Sequence, residues 1–402
     1  MRAVLPLVLL RLWWRGRREP GYRQGIGERF GRYSVAGGAK LVWIHAVSVG
    51  EARAAAPLVE ALRAALPDHA MLLTCTTSAG RDTLRQIHGA NALVTYLPYD
   101  LPGAVRRFLG HWHPRLGVLM ETEVWPNLLA GCAGERVPVV LANARMSEKS
   151  ARGYARWPGL GRAMFASLAE VCAQSAADAE RLRALGARNV AVTGNLKFDV
   201  EPDAGQLAAG RAWRARLGRP VVLLASTREG EEELLLKEAS QINDAPLIVV
   251  VPRHPQRFDE VAQWAQARRS RQEFPDEKTK IYLGDTMGEM AFYFAACDVA
   301  VIGGSFLPLG GQNLIEALAA GAPVVTGPSM FNFAEATRLA LEARAAVQAA
   351  GPGEALREAV RLLGDPVRRA EMAAAGKQLC ELHRGATARH LAVCRRLLSA
   401  HG

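Results

Sequence analysis

The sequence predicts an α/β protein built from two doubly wound, Rossmann-like halves. Three observations predict it. At 402 residues, the chain is longer than one hydrophobic core usually organises and favours two domains of about 200 residues each. Short apolar runs alternate with stretches of helical composition, a βαβ rhythm that demands a mainly parallel sheet covered on both faces. The rhythm pauses once, over residues 195–210, where Pro202 sits among small and polar residues.

Taken in order, strands are expected at 41–47, 71–76, 92–96, 116–120, 137–141, 169–173 and 189–193. Helical segments lie between them, such as 50–66, 101–110 and 175–185. After the pause, strands are expected at 220–225, 246–251, 280–283, 298–302 and 322–325, and 352–400 reads as helix rich in Ala, Leu and Arg. Three parts follow: an N-terminal segment over 1–40, a first Rossmann-like domain over 41–200, and a second over 201–402 that includes the terminal helices. Ligands of such sheets bind beyond the carboxyl ends of the strands, and two facing halves would place the site in the cleft between them.

Half of the residues are hydrophobic and 22% are charged, which is a globular mixture rather than a disordered one. No two of the six cysteines lie within four residues of each other, which excludes a CxxC zinc or redox motif. Buried reduced thiols in a reducing compartment are the expectation. The formal charge is +11. Residues 1–32 hold eight arginines against Glu19 and Glu28, a local balance of +6. Their neighbours are an apolar run from Ala3 to Leu10 and the pair Trp13-Trp14. That run is too short to span a bilayer and lacks the small-residue cleavage site of a signal peptide. Arginines among apolar residues and tryptophans suit a segment lying on an anionic membrane surface; the competing reading is a helix docked on the core. Aromatic residues, at 6%, are too sparse for a nucleic-acid stacking platform, so no nucleic-acid partner is expected.

Five segments can carry chemistry. Ser48-Val-Gly-Glu51 follows the first strand and opens a helix. Ser-x-x-Glu is a capping box, in which Glu51 would reach back to the Ser48 amide; a carboxylate there could also accept a proton. Glu121-Thr-Glu123 follows the strand at 116–120, and a continued strand would turn both acids to one face, Glu121 nearer the strand end. Lys197 follows the last strand of the first half, where it could meet ligand charge or pair with an acid. Arg253-His254 sits in a prolined turn after the strand at 246–251 and suits a phosphate or carboxylate. Gly303 to Glu316 is a glycine-rich loop running into a helix, where amides and a helix N-terminus could meet an anion. Asn313 and Glu316 share a helix face there, and Glu316 could receive sugar hydroxyls. The loop is neither a Walker A motif nor GxGxxG. No Asp-x-Asp, His-Glu-x-x-His or Cys/His cluster occurs, so no metal site is expected.

Together these segments resemble the Kdo (3-deoxy-D-manno-octulosonic acid) transferases of lipopolysaccharide assembly, glycosyltransferase family 30. The resemblance runs in order through Arg15-Gly-Arg-Arg, Gly27-Glu-Arg-Phe-Gly31, His45-Ala-Val-Ser-Val-Gly-Glu51, Tyr96-Leu-Pro-Tyr-Asp-Leu-Pro102 and Met120-Glu-Thr-Glu-Val-Trp-Pro-Asn127. It continues through Ala142-Asn-Ala-Arg-Met-Ser147, Val251-Pro-Arg-His-Pro255, Gly284-Asp-Thr-Met-Gly-Glu289, the 303–316 loop and Phe331-Asn-Phe333. It implies a GT-B fold, a CMP-Kdo donor and a lipid IVA acceptor (a lipid A precursor). It also implies an inverting, metal-independent transfer at the cytoplasmic face of the inner membrane, by a peripheral protein or one with a short N-terminal anchor. By the same resemblance Glu51 would be the general base, and Glu121 and Lys197 would stabilise the transition state. Arg253, His254, Met287, Gly288, Glu289, Asn313, Leu314, Ile315 and Glu316 would hold CMP. The family's loop often has histidine where this chain has Gln312, a side chain that does not titrate. Two rivals predict otherwise: a GT-B enzyme using a UDP-sugar, and a basic membrane-binding protein without catalysis.

Overall fold

The structure, a computed structural model, describes residues 23–38, 40–242 and 246–400. It divides into two compact units, residues 1–200 with 384–402 and residues 201–383.

The first unit is a seven-stranded sheet. Its strands are β1 (Leu41–His45), β2 (Ala70–Cys75), β3 (Leu93–Tyr96), β4 (Pro114–Met120), β5 (Val139–Ala144), β6 (Glu170–Ala173) and β7 (Val190–Val192). Each overlaps an expected strand. All neighbours pair in parallel, in the order β3-β2-β1-β4-β5-β6-β7. A parallel sheet must be covered on both faces, and β1 is buried along its whole length. Its alternate residues divide between two cores: Leu41 and Trp43 pack with Phe108 and Trp112 on one face, Val42 and Ile44 with Leu58 and Leu62 on the other. Local chemistry starts the connecting helices. Ser48, Thr77, Ser147 and Ser175 cap the helices Val49–Ala65, Ser78–His88, Glu148–Ala155 and Ala176–Ala184 through their hydroxyls. Prolines 102, 126 and 158 occupy first helical positions, where the missing N–H costs nothing.

The second unit repeats the plan with β8 (Val221–Thr227), β9 (Leu247–Pro252), β10 (Ala267–Arg268), β11 (Ile281–Leu283), β12 (Val299–Ile302), β13 (Val324–Thr326) and β14 (Ala346–Gln348). Their order is β10-β11-β9-β8-β12-β13-β14, again all parallel. The edge strands β10 and β14, two and three residues long, were not expected from the sequence.

Two boundaries differ from the expectation. The terminal region is three helices, Pro352–Leu363, Pro366–His383 and Ala386–Ala400, and the last belongs to the first unit, not the second. Specific bonds put it there. Asp199 accepts the amides of Gly385 (2.7 Å) and Thr387 (2.5 Å), Arg389 donates to the Thr193 carbonyl (2.8 Å), and Arg396 pairs with Glu170 (2.8 Å). Of the membrane-associating segment expected over 1–40, residues 1–22 and 39 lie outside the described residues. What is described of the rest of 1–40 is partly docked. Arg29 is buried over the Tyr96 ring (3.8 Å to its centre) and donates to the Thr76 carbonyl (2.9 Å). Glu28 pairs with Arg81 (2.9 Å). Among the described residues, no helix is long and apolar enough to cross a membrane.

Candidate active site

The strand order of the first sheet reverses between β1 and β4, and a ligand crevice opens at such a point beyond the carboxyl ends. Both segments expected to carry acids lie there. Glu51 stands in the first turn of the helix that follows β1, and Glu121 immediately follows β4. The capping box forms with one change. The Ser48 hydroxyl accepts the Glu51 amide (3.3 Å), but Glu51 reaches back to the Val47 amide (2.7 Å) and the Ser48 hydroxyl (3.3 Å) rather than to the Ser48 amide. The residue therefore caps its helix and presents a carboxyl group at the strand edge in one conformation.

Glu121 and Glu123 do not share a face, because the strand ends at Met120. Glu121 takes a left-handed backbone conformation (φ 56°), uncommon for a residue with a β-carbon, and is buried. Glu123 turns aside and receives the Trp125 indole N–H (2.7 Å). Lys197, from the turn after β7, meets Glu121 at 2.6 Å with both side chains largely buried. A chain of bonds sets that turn. Asn195 accepts the Lys197 amide (3.0 Å), and Asn143, also left-handed (φ 51°) at the end of β5, accepts the Leu196 amide (3.0 Å). The Asn143 amide in turn donates to His390 Nε2 (2.9 Å), which leaves the imidazole proton on Nδ1, donating to the Ala386 carbonyl (2.7 Å). Burial pushes His390 down to about 4, so the ring is neutral at pH 7. Neither Asn143 nor His390 was singled out in the sequence; their roles depend on partners 53 and 247 positions away.

The acids are driven apart in acidity. Burial, then the nearby charge of Glu121, pushes Glu51 up to about 8 against the pull of the Val47 amide. Burial also opposes ionisation of Glu121, but the Lys197 ammonium and Arg145 outweigh it and hold that carboxyl below its ordinary range. Burial raises Glu123 despite the Trp125 bond. One acid that trades its proton near neutral pH beside another fixed as an anion is the arrangement that assigns acid–base roles.

The candidates in the second unit also gather at one sheet edge. Arg253 and exposed His254 follow β9, Met287 to Glu289 follow β11, and the glycine loop follows β12. The Arg253 amide donates to the Thr227 carbonyl at the end of β8 (2.9 Å). Glu289 is held by Arg269 (2.8 Å) and Thr286, bonds that lower its proton affinity. Gly288 has φ 85°, and its carbonyl accepts the Gln206 side chain (3.0 Å). Asn313 donates to Glu316 (2.9 Å) and accepts the Ile315 amide (3.1 Å), so the two side chains meet, but Asn313 precedes the helix, which begins at Ile315, instead of sharing a helix face with Glu316 as expected. Leu314 and Ile315 are buried.

One expectation for the loop is corrected. The amides of its first turn do not stand ready for a ligand anion. The Glu231 carboxylate accepts those of Gly304 (2.6 Å), Ser305 (3.0 Å) and Phe306 (3.0 Å). The helix after the loop, Ile315–Ala320, has only six residues and makes a weak dipole. Gln312 contributes through its backbone, its amide donating to the Gly303 carbonyl (3.0 Å). Among the described residues, no three His, Cys, Asp or Glu side chains cluster closely enough to hold a metal ion.

Two all-parallel, Rossmann-like units define the class: this is a GT-B-type glycosyltransferase fold. Solved structures share it, including HepE of Anabaena in complex with UDP (TM-score 0.63, 16% identity, 90% of this chain and 100% of that one). A glycosyltransferase of Rickettsia africae is similar too (TM-score 0.62, 11% identity, 90% and 99%). The family is narrower. Residues 24–200 match the model of the 3-deoxy-D-manno-octulosonic-acid transferases. The 3-deoxy-D-manno-octulosonic acid transferase of Bordetella pertussis is 47% identical over 97% of this chain and 96% of that protein. That of Haemophilus influenzae is 35% identical over 96% and 94%. The chain belongs to the Kdo transferase family.

Proposed function

We propose that this Kdo transferase takes Kdo from CMP-Kdo and adds it to lipid IVA, a lipid A precursor, in lipopolysaccharide biosynthesis, with inversion and without a metal ion. The observation that carries this reading is Glu51, a carboxyl group raised to about 8 beside the Glu121–Lys197 pair at the switch point of the first sheet. An acceptor hydroxyl must lose its proton as its oxygen attacks the anomeric carbon of Kdo. Glu51 takes that proton. The new C–O bond forms as the bond from the anomeric carbon to the CMP phosphate breaks, and the electron pair leaves with CMP. The Lys197 charge acts on the Glu51 carboxyl and offsets negative charge developing there, with Glu121 holding the ammonium in place.

Arg253, His254, the 287–289 turn and Asn313 to Glu316 hold the nucleotide, with Glu316 on the ribose hydroxyls. The basic N-terminal segment keeps the protein at the cytoplasmic face of the inner membrane, where an acylated, phosphorylated acceptor is presented. The decisive test is incubation with freshly generated CMP-Kdo and lipid IVA, with product mass as the readout. A gain of one or more Kdo units supports the reading, and unchanged activity in EDTA supports metal independence. Folded protein that forms no product, but is stabilised against heat by UDP and not by CMP, would move the assignment to a UDP-sugar.

A further inference from the structure

The second sheet reverses its strand order between β8 and β12, and its switch point is occupied by a side chain of the protein itself. Glu231 has no exposed surface. Its carboxylate receives four backbone amides: Gly304 (2.6 Å), Ser305 (3.0 Å), Phe306 (3.0 Å) and Arg228 (3.2 Å). Converging amides of this kind make a concavity that binds anions. Here the anion is built in.

The loop it holds is tied on every side. Gly303 lies so close to β8 that a β-carbon would stand 2.7 Å from the Ser226 carbonyl oxygen. Ser226 itself is left-handed (φ 57°). Ser305 accepts the Gly327 amide through its hydroxyl (2.8 Å) and the Ser329 amide through its carbonyl (2.9 Å). The loop then returns on itself, Gly311 donating to the Gly304 carbonyl (2.7 Å), and delivers Asn313 and Glu316. One carboxylate therefore joins the end of β8, the start of the next helix and the loop after β12.

We propose that Glu231 is a positioning residue for donor binding. It fills the amide nest of the 303–306 loop, which fixes the path to Asn313 and Glu316 and excludes the donor's own anionic groups from those amides. The inference rests on the reading of the second unit as the CMP-Kdo site. Loss of Glu231's charge acts on donor affinity before it acts on the chemical step, because its carboxylate is bonded to backbone amides of the second unit that set the loop.

Two measurements test it. In the wild-type protein, amide hydrogen exchange at Gly304, Ser305 and Phe306 should be slow without ligand and unchanged by CMP. Protection that appears only with CMP would show that the nest serves the nucleotide and overturn the proposal. In Glu231→Gln, one carbonyl oxygen replaces a carboxylate that accepts four amides. The KM for CMP-Kdo should rise at least tenfold with a smaller change in kcat, and Glu231→Ala should regain affinity in added formate, which can enter the vacated nest. An unchanged KM in folded Glu231→Gln defeats the inference while wild-type transfer continues. Failure of the wild-type protein to bind CMP or transfer Kdo defeats the functional reading instead.

Discussion

The two sheets have the same kind of strand order and bring acidic side chains to both switch points, yet they treat those acids in opposite ways. In the first unit Glu51 is half-buried near buried Glu121, whose own partner is Lys197, so desolvation and repulsion leave Glu51 with its proton until about pH 8. Glu231 in the second unit is more deeply buried but meets four amides. A buried carboxyl short of donors becomes a group that exchanges a proton, whereas one surrounded by amides becomes a fixed part of the backbone's hydrogen bonding. The fold supplies the crevice, and the donors around each acid decide its use.

The comparison can be broken most forcefully at Glu51. Glu51→Gln keeps the cap's geometry and should keep stabilisation by CMP, yet lose about 10²- to 10⁴-fold in kcat, the range of general-base catalysis. Near-normal turnover would remove Glu51 as the base. Lys197→Met comes next. It leaves Glu121 buried without its 2.6 Å partner, and kcat should fall about 10²-fold, as for loss of one electrostatic stabiliser; a change confined to KM would contradict this role.

The pH profile sharpens the same point. In the free enzyme, kcat/KM should rise with pH through an apparent pKa near 8, since Glu51 as the proposed base acts only when ionised. Glu121→Gln removes a charge that holds the proton on Glu51 and should move this ascending limb to lower pH. An unmoved limb would assign it to another group.

The smallest effects are on stability. Glu51 binds its proton more tightly when folded (about 8) than unfolded (4.5), so the stability it contributes is complete below pH 4.5 and lost as pH rises through 8. His390, lowered from 6.5 to about 4, works in the other sense: its contribution is present above 6.5 and lost as pH falls through 4. Urea midpoints measured from pH 4 to 9 should therefore fall less steeply on the alkaline side in Glu51→Gln. His390→Ala should lose about 1–3 kcal/mol at pH 7 by orphaning the Asn143 amide, and should be less sensitive to acid than the wild type. Parallel curves would reject the linkage.

Much of the fold was legible because period and burial agree. Every strand of the first sheet announced itself as an apolar run followed by a helix start, and Glu51, Glu121 and Lys197 stood at strand ends where a ligand is met. The edge strands β10 and β14 were not legible, since two or three residues carry no period. The allegiance of the last helix was hidden for another reason. Its composition suits either unit, and only the pairing of His390 with Asn143 and of Gly385 and Thr387 with Asp199 decides it. Glu231 was concealed likewise: Gly230-Glu231-Glu232 reads as an acidic helix start, while its main partners lie more than 70 positions downstream.

The return of the last helix makes the second unit an insertion within the first. A ribosome releases the chain from its N-terminus, so the sheet β1–β7 is synthesised long before residues 384–400 emerge. Until then Asp199 and Asn143 wait without their C-terminal partners, and the turn bearing Lys197 lacks part of its support. A chain cut before residue 384 would keep the seven strands of the first sheet in sequence while losing the partners of Asp199 and Asn143, so the support of the Lys197 turn is split between two stretches of chain that the second unit separates.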